Sequence, residues 1–140
     1  MKISGILGWC LFVSLGLAAC GSGKYGDVKA VMDAQARVME NYIDALARAR
    51  NTQDVVAAIH DFTRKMKELI PDMKKTLKKY PELSERLNPP EELKAQTAQM
   101  RELSARLQAT TMKTMPYMQD AEVQAAMQEQ RKVMMELAKE

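Results

Sequence analysis

Ile59-His60-Asp61-Phe62-Thr63-Arg64-Lys65-Met66-Lys67-Glu68-Leu69-Ile70-Pro71-Asp72-Met73-Lys74-Lys75-Thr76-Leu77-Lys78-Lys79-Tyr80 is the stretch whose spacing decides the fold. Ile59, Phe62, Met66, Leu69, Met73, Leu77 and Tyr80 recur in steps of three and four. That period gathers apolar side chains on one face of an α-helix, and such a seam is buried against other helices. Pro71 sits inside it. A mid-helix proline removes one backbone hydrogen bond and crowds the carbonyl one turn back, which predicts a kink near Met66–Pro71. The seam continues in phase beyond the proline, so the expectation is a bent helix and not a chain reversal.

Upstream, Val28, Val31/Met32, Gln35, Val38/Met39, Tyr42/Ile43, Leu46 and Ala49 repeat at the same period and predict a helix over about 27–50, with Asp27 as its N-cap. Asn51-Thr52-Gln53-Asp54 separates the two helices. Asn51 or Thr52 suits the cap of the second, with Asp54 in its first turn. Downstream, Pro81 ends the seam, and Asn88-Pro89-Pro90 is the strongest loop signal in the chain. Pro90, Glu91 and Glu92 suit the first turn of a third helix. Its stripe is Leu93, Thr97, Met100, Leu103, Leu107, Thr111 and Met115. Pro116 breaks or kinks this helix. Asp120 caps a last one, with the stripe Val123, Met127, Gln130, Met134 and Leu137. Each helix has one face to bury. The expected fold is all-α: an antiparallel bundle of three long helices plus a shorter C-terminal helix, over residues 27–140.

Composition agrees. Beyond Gly26 the chain has no glycine, and Ala, Met, Leu, Lys, Glu, Gln and Arg, all good helix formers, dominate. The net charge of +3 and the scarcity of aromatic residues argue against nucleic-acid partners, which call for a strong basic stripe.

The first residues read differently. Lys2 is the only charge before Lys24, and Ile3 to Leu17 is apolar or small throughout. A positive start followed by a short apolar run describes a secretory signal peptide, too short for a membrane span of about 20 residues. Leu17-Ala18-Ala19-Cys20 closes the run, with Gly21-Ser22-Gly23 behind it. This quartet resembles the lipobox of bacterial lipoprotein precursors. The resemblance covers about the first 23 residues. It implies a leader over 1–19 cut between Ala19 and Cys20, with a diacylglyceryl group on the Cys20 sulfur and a further acyl chain on its amine. Residues 20–26 would then be the lipidated cysteine and a flexible tether. Gly21, rather than Asp, after the cysteine implies onward sorting to the outer membrane, facing the periplasm. Acyl chains contribute about 0.8 kcal/mol per buried CH2, and two or more hold stably. Cys10 would leave with the leader and Cys20 would be acylated, so packing alone would hold the domain together.

Few residues point to catalysis. Nucleophilic chemistry needs a base within reach of the nucleophile, usually a histidine. His60 is the one histidine, and its neighbour Asp61 points to another helix face. Gly-x-Ser-x-Gly, His-Glu-x-x-His and a glycine-rich phosphate loop are all missing from the sequence. Glu91 and Glu92 are explained by the helix dipole. The expectation is a non-enzymatic protein without a cofactor.

Two other features carry weight. Lys74, Lys75, Lys78 and Lys79 crowd the end of the second helix, with Lys74/Lys78 and Lys75/Lys79 four apart. Such a face can rest on anionic headgroups, at up to about 1 kcal/mol per lysine, or meet an acidic partner. It also simply complements the helix dipole. Met112, Met115 and Met118 step by three, and thioethers are soft ligands that select Cu(I). Against copper, Met32/Met39, Met66/Met73 and Met127/Met134 stand seven apart, as core residues do. The reading that results is a lipid-anchored helical envelope protein that binds or scaffolds an envelope partner, with self-association through its seams as a further expectation. A methionine-rich periplasmic Cu(I)-binding protein is the alternative.

Overall fold

Residues 23–85 and 88–137 are described by the computed structural model, and every element among them is helical. Helix α1 spans Gly26–Arg48, α2 Thr52–Lys79, α3 is the single turn Glu82–Glu85, α4 spans Lys94–Thr114 and α5 Ala121–Leu137. Short 3-10 turns at Glu91–Leu93 and Met115–Tyr117 precede and follow α4. The third and fourth long helices are therefore separate elements rather than one kinked rod.

Local chemistry sets the ends. The Asn51 side chain accepts from the Asp54 amide at 2.8 Å, and the Asp54 carboxylate accepts from the Arg50 amide at 2.8 Å. The first bond satisfies a donor that the first turn of α2 leaves open, and the second fastens the residue before the cap to the same turn. Asp120 does the same for α5, accepting from the Glu122 amide at 2.9 Å. Asp27 is not the N-cap of α1. Tyr25 holds that position, and Asp27 lies inside the first turn, bonded to the Val28 amide at 3.0 Å.

α2 passes through Pro71 without a break, as the in-phase seam requires. In its second half Met66 of the predicted seam is buried, as is Tyr80 just beyond the helix, but Ile70 and Thr76 are the other buried residues, while Leu69 and Met73 are only half-buried. Leu77 is 41% exposed. This face is left partly open because α5, at 17 residues against 28, lies beside the first part of α2 and ends before its last turns.

α1 lies against α2 and α4, and α2 lies against α5. One core cluster joins Leu46, Val55, Ala58, Ile59, Val123 and Ala126 at one end of the molecule. A second joins Ala36, Ile43 and Leu103 at mid-height. A third joins Tyr25, Val28, Tyr80 and Leu93 at the other end. The start of α1 thus sits beside the start of α4, and the start of α2 beside the start of α5. Both of these neighbouring pairs run parallel, and α1 and α2 run antiparallel. Successive long helices thus alternate in direction, while the flanking pairs α1/α4 and α2/α5 are parallel neighbours. The connection over 80–93 carries α4 to the flank of α1, and the turn after Thr114 carries α5 to the flank of α2; longer connections permit neighbours that short ones do not.

Ile59, Met66, Val55 and Val123 are the largest fully buried side chains, each contributing about 1.5–3 kcal/mol by leaving water. Tyr42 stacks on Phe62 at 4.5 Å between ring centroids, strengthening the α1–α2 seam. α4 is the poorest in apolar contact. Leu103, Thr110 and Thr114 are its buried residues, and the two threonine hydroxyls bond back to the Arg106 and Thr111 carbonyls. Met115, expected on the buried stripe, is 63% exposed because the helix gives way to the 3-10 turn at that residue.

Candidate functional site

The leader, Ala19 and Cys20 lie outside the described residues. The described chain begins at Gly23, at the end of the molecule where α1 starts, α2 finishes and α4 starts. Polar and aromatic contacts clasp these segments together. Tyr25 and Tyr80, both buried, place their ring centroids 5.2 Å apart at 60°. The Tyr80 hydroxyl donates to the Lys24 carbonyl at 2.6 Å. Lys24 Nζ reaches Glu82 Oε1 at 2.7 Å, and the Tyr25 hydroxyl donates to the same oxygen at 3.2 Å. Lys79 Nζ meets Asp27 Oδ2 at 2.6 Å. Each ammonium also sits 5.0 Å from the centroid of a tyrosine ring, Lys24 over Tyr25 and Lys79 over Tyr80. Residues 24–27 are thereby tied to 79–82.

The charges respond to these bonds. The Lys79 hydrogen bond holds the Asp27 carboxyl below its ordinary range, and Asp27 in return pushes Lys79 up to about 12. The bond to Glu82 raises Lys24, and the bond to Lys24 lowers Glu82. All four groups are solvated, so these ion pairs orient the segments more than they stabilise the fold.

Lys74, Lys75, Lys78 and Lys79 are all exposed on the last turns of α2. Lys79 is engaged in the clasp and so is not available as a free cation on that face. Further up the helix the basic residues are balanced: Arg64 pairs with Asp61 and Glu68, and Lys65 pairs with Asp61. Positive charge in α2 therefore collects at the clasped end. Among the described residues no helix is long and apolar enough to cross a membrane.

The methionine cluster lies at the opposite end and is divided. Met112 and Met115 are 68% and 63% exposed, while Met118 is partly buried against the core around Val55 and Val123. Pro116 and the 3-10 turn interrupt the helical spacing that a shared face of three sulfurs would need. Tyr117 pins this turn by donating to the Arg50 carbonyl at 3.0 Å. Among the described residues no three His, Cys, Asp or Glu side chains gather as metal ligands. His60 is exposed, and its Nδ1 lies 3.4 Å from Glu129 Oε2 on α5. Its sequence neighbour Asp61 is turned to Arg64 and Lys65 instead.

Sequence reasoning missed two things at the clasped end: the clasp itself and an apolar groove beside it, of about 390 Å³, between α1, α2 and the start of α4. Tyr25 and Tyr80, placed at two helix ends, are the one sequence signal for the first. Nothing in the spacing pointed to the second, because α5 runs beside the first part of α2 and, at 17 residues against 28, ends before it. The chain matches no protein-family model, no curated protein and no solved structure.

Proposed function

We propose that the protein is a lipid-anchored helical scaffold of the bacterial cell envelope, held at a membrane through Cys20 and acting by binding an envelope partner rather than by catalysis. One observation carries the reading. The clasp brings the lysine-rich end of α2 to the point where the chain arrives from Cys20. An acyl anchor and a basic surface at the same end are complementary signals for an anionic bilayer face, each reinforcing a binding that one alone makes weakly. The far end, with Met112, Met115 and the Tyr117 turn, then points away from that bilayer and is the surface presented to a partner.

The test is to grow cells that make the full chain with an alkyne-bearing palmitate and fractionate them. The label is expected on the wild-type chain in the membrane fraction, and neither label nor leader cleavage before residue 20 in Cys20→Ser. An unlabelled wild-type chain in the soluble fraction overturns the proposal. Crosslinking in the same cells reads out the partner.

A further inference from the structure

We infer that the groove beside the clasp binds a single-chain anionic amphiphile, of which a long-chain fatty acid is the simplest example. Its walls are apolar: Val28 and Met32 from α1, Met73 and Leu77 from α2, then Leu83 and Leu93. Leu77 is 41% exposed here, on a turn otherwise occupied by lysines. An uncovered large apolar side chain in a concave site is what an apolar ligand would remove from water. A volume of about 390 Å³ lies toward the small end of ligand sites, which suits one chain.

Charge selects the head group. Arg101 is the one ionised side chain among the described residues lining the groove. It stands where the groove joins a more polar hollow, with which the groove shares Asn88, Pro89, Pro90 and Thr97. The hollow adds Glu91 and Lys94, which pair with each other. Arg101 makes no ion pair with any described residue, so among the described residues the junction carries one positive charge beyond the Glu91–Lys94 pair. An apolar slot ending at a guanidinium is complementary to a hydrocarbon chain ending in a carboxylate, which arginine can take with two parallel hydrogen bonds. A neutral chain would leave that complementarity unused. The site does not depend on the anchor at Cys20.

The experiment uses the full chain, purified into phosphatidylcholine vesicles, and a palmitic acid bearing a diazirine. After irradiation, label is expected in the peptides carrying residues 28–35, 73–83 and 93–101, with excess unlabelled oleic acid removing it. Arg101→Glu, at an exposed position, is expected to lower acid labelling about fivefold, the scale of one partly exposed ion pair. Labelling by the matching diazirine alcohol should not change. Label spread over exposed helix faces and insensitive to oleic acid overturns the proposal, as does an equal loss of acid and alcohol labelling in Arg101→Glu. The Cys20→Ser chain separates this site from the anchor. Groove labelling there stands whether or not Cys20 is acylated in cells. Labelling that requires an intact Cys20 assigns the groove to the protein's own acyl chain and overturns binding of a free amphiphile.

Discussion

Asp27 and Lys79 show how a single contact can organise an end of the molecule without contributing much to its stability. Asp27 has its carboxyl lowered from 3.8 by the Lys79 hydrogen bond, so its contribution is present above 3.8 and disappears as pH falls through the depressed value. Lys79 is raised from 10.5 to about 12, so its contribution is complete below 10.5 and disappears as pH rises through about 12. Between 3.8 and 10.5 the Asp27–Lys79 pair should be insensitive to pH. In Asp27→Asn, the Lys79 titration followed by NMR should move back toward 10.5, with a small change in Tm. An unchanged Lys79 titration would mean that the pair does not form in solution. The sequence displayed both residues but not their pairing. Asp27 read as a cap because caps are recognised from local order, whereas its partner lies 52 positions away.

At the scale of the element, α2 offers two opposed expectations. Asn51→Ala removes the cap that satisfies the Asp54 amide and should cost about 1 kcal/mol in urea unfolding. Pro71→Ala should stabilise, by up to about 3 kcal/mol, because it returns an amide donor to the helix interior and Pro71 is exposed. A loss of stability in Pro71→Ala would show that the proline ring is needed for packing. Caps, helix count and approximate boundaries were legible here, since each depends on a few consecutive residues. The buried face of the second half of α2 was not. Leu77 and Ile70 exchange the roles predicted for the seam because burial depends on which neighbour stands alongside and where it ends.

For the whole molecule, the order of contact is α4 on α1, α1 on α2, α2 on α5. α2 lies between two main partners, while α4 packs chiefly on α1 and two of its three buried residues are threonines. Hydrogen exchange should therefore find the amides of α4 opening with a smaller free energy than those in the middle of α2. Equal protection across both helices would indicate one cooperative unit. The same order leaves the last turns of α2 beyond the reach of α5, and the apolar groove follows from that difference in length.

Composition and a three-to-four spacing were enough to establish that this chain is helical, how many long helices it has and which residues begin α2 and α5, because helix formation is a short-range matter of propensity, period and capping. The lipobox-like quartet likewise stands in the sequence, complete within four residues. Tertiary structure alone decided that α1 and α4 lie parallel, that Tyr25 and Tyr80 meet, that Lys79 is committed to Asp27 and that a groove stays open beside them. Those outcomes depend on where the two longer connections carry a helix in space, and no local pattern encodes that position.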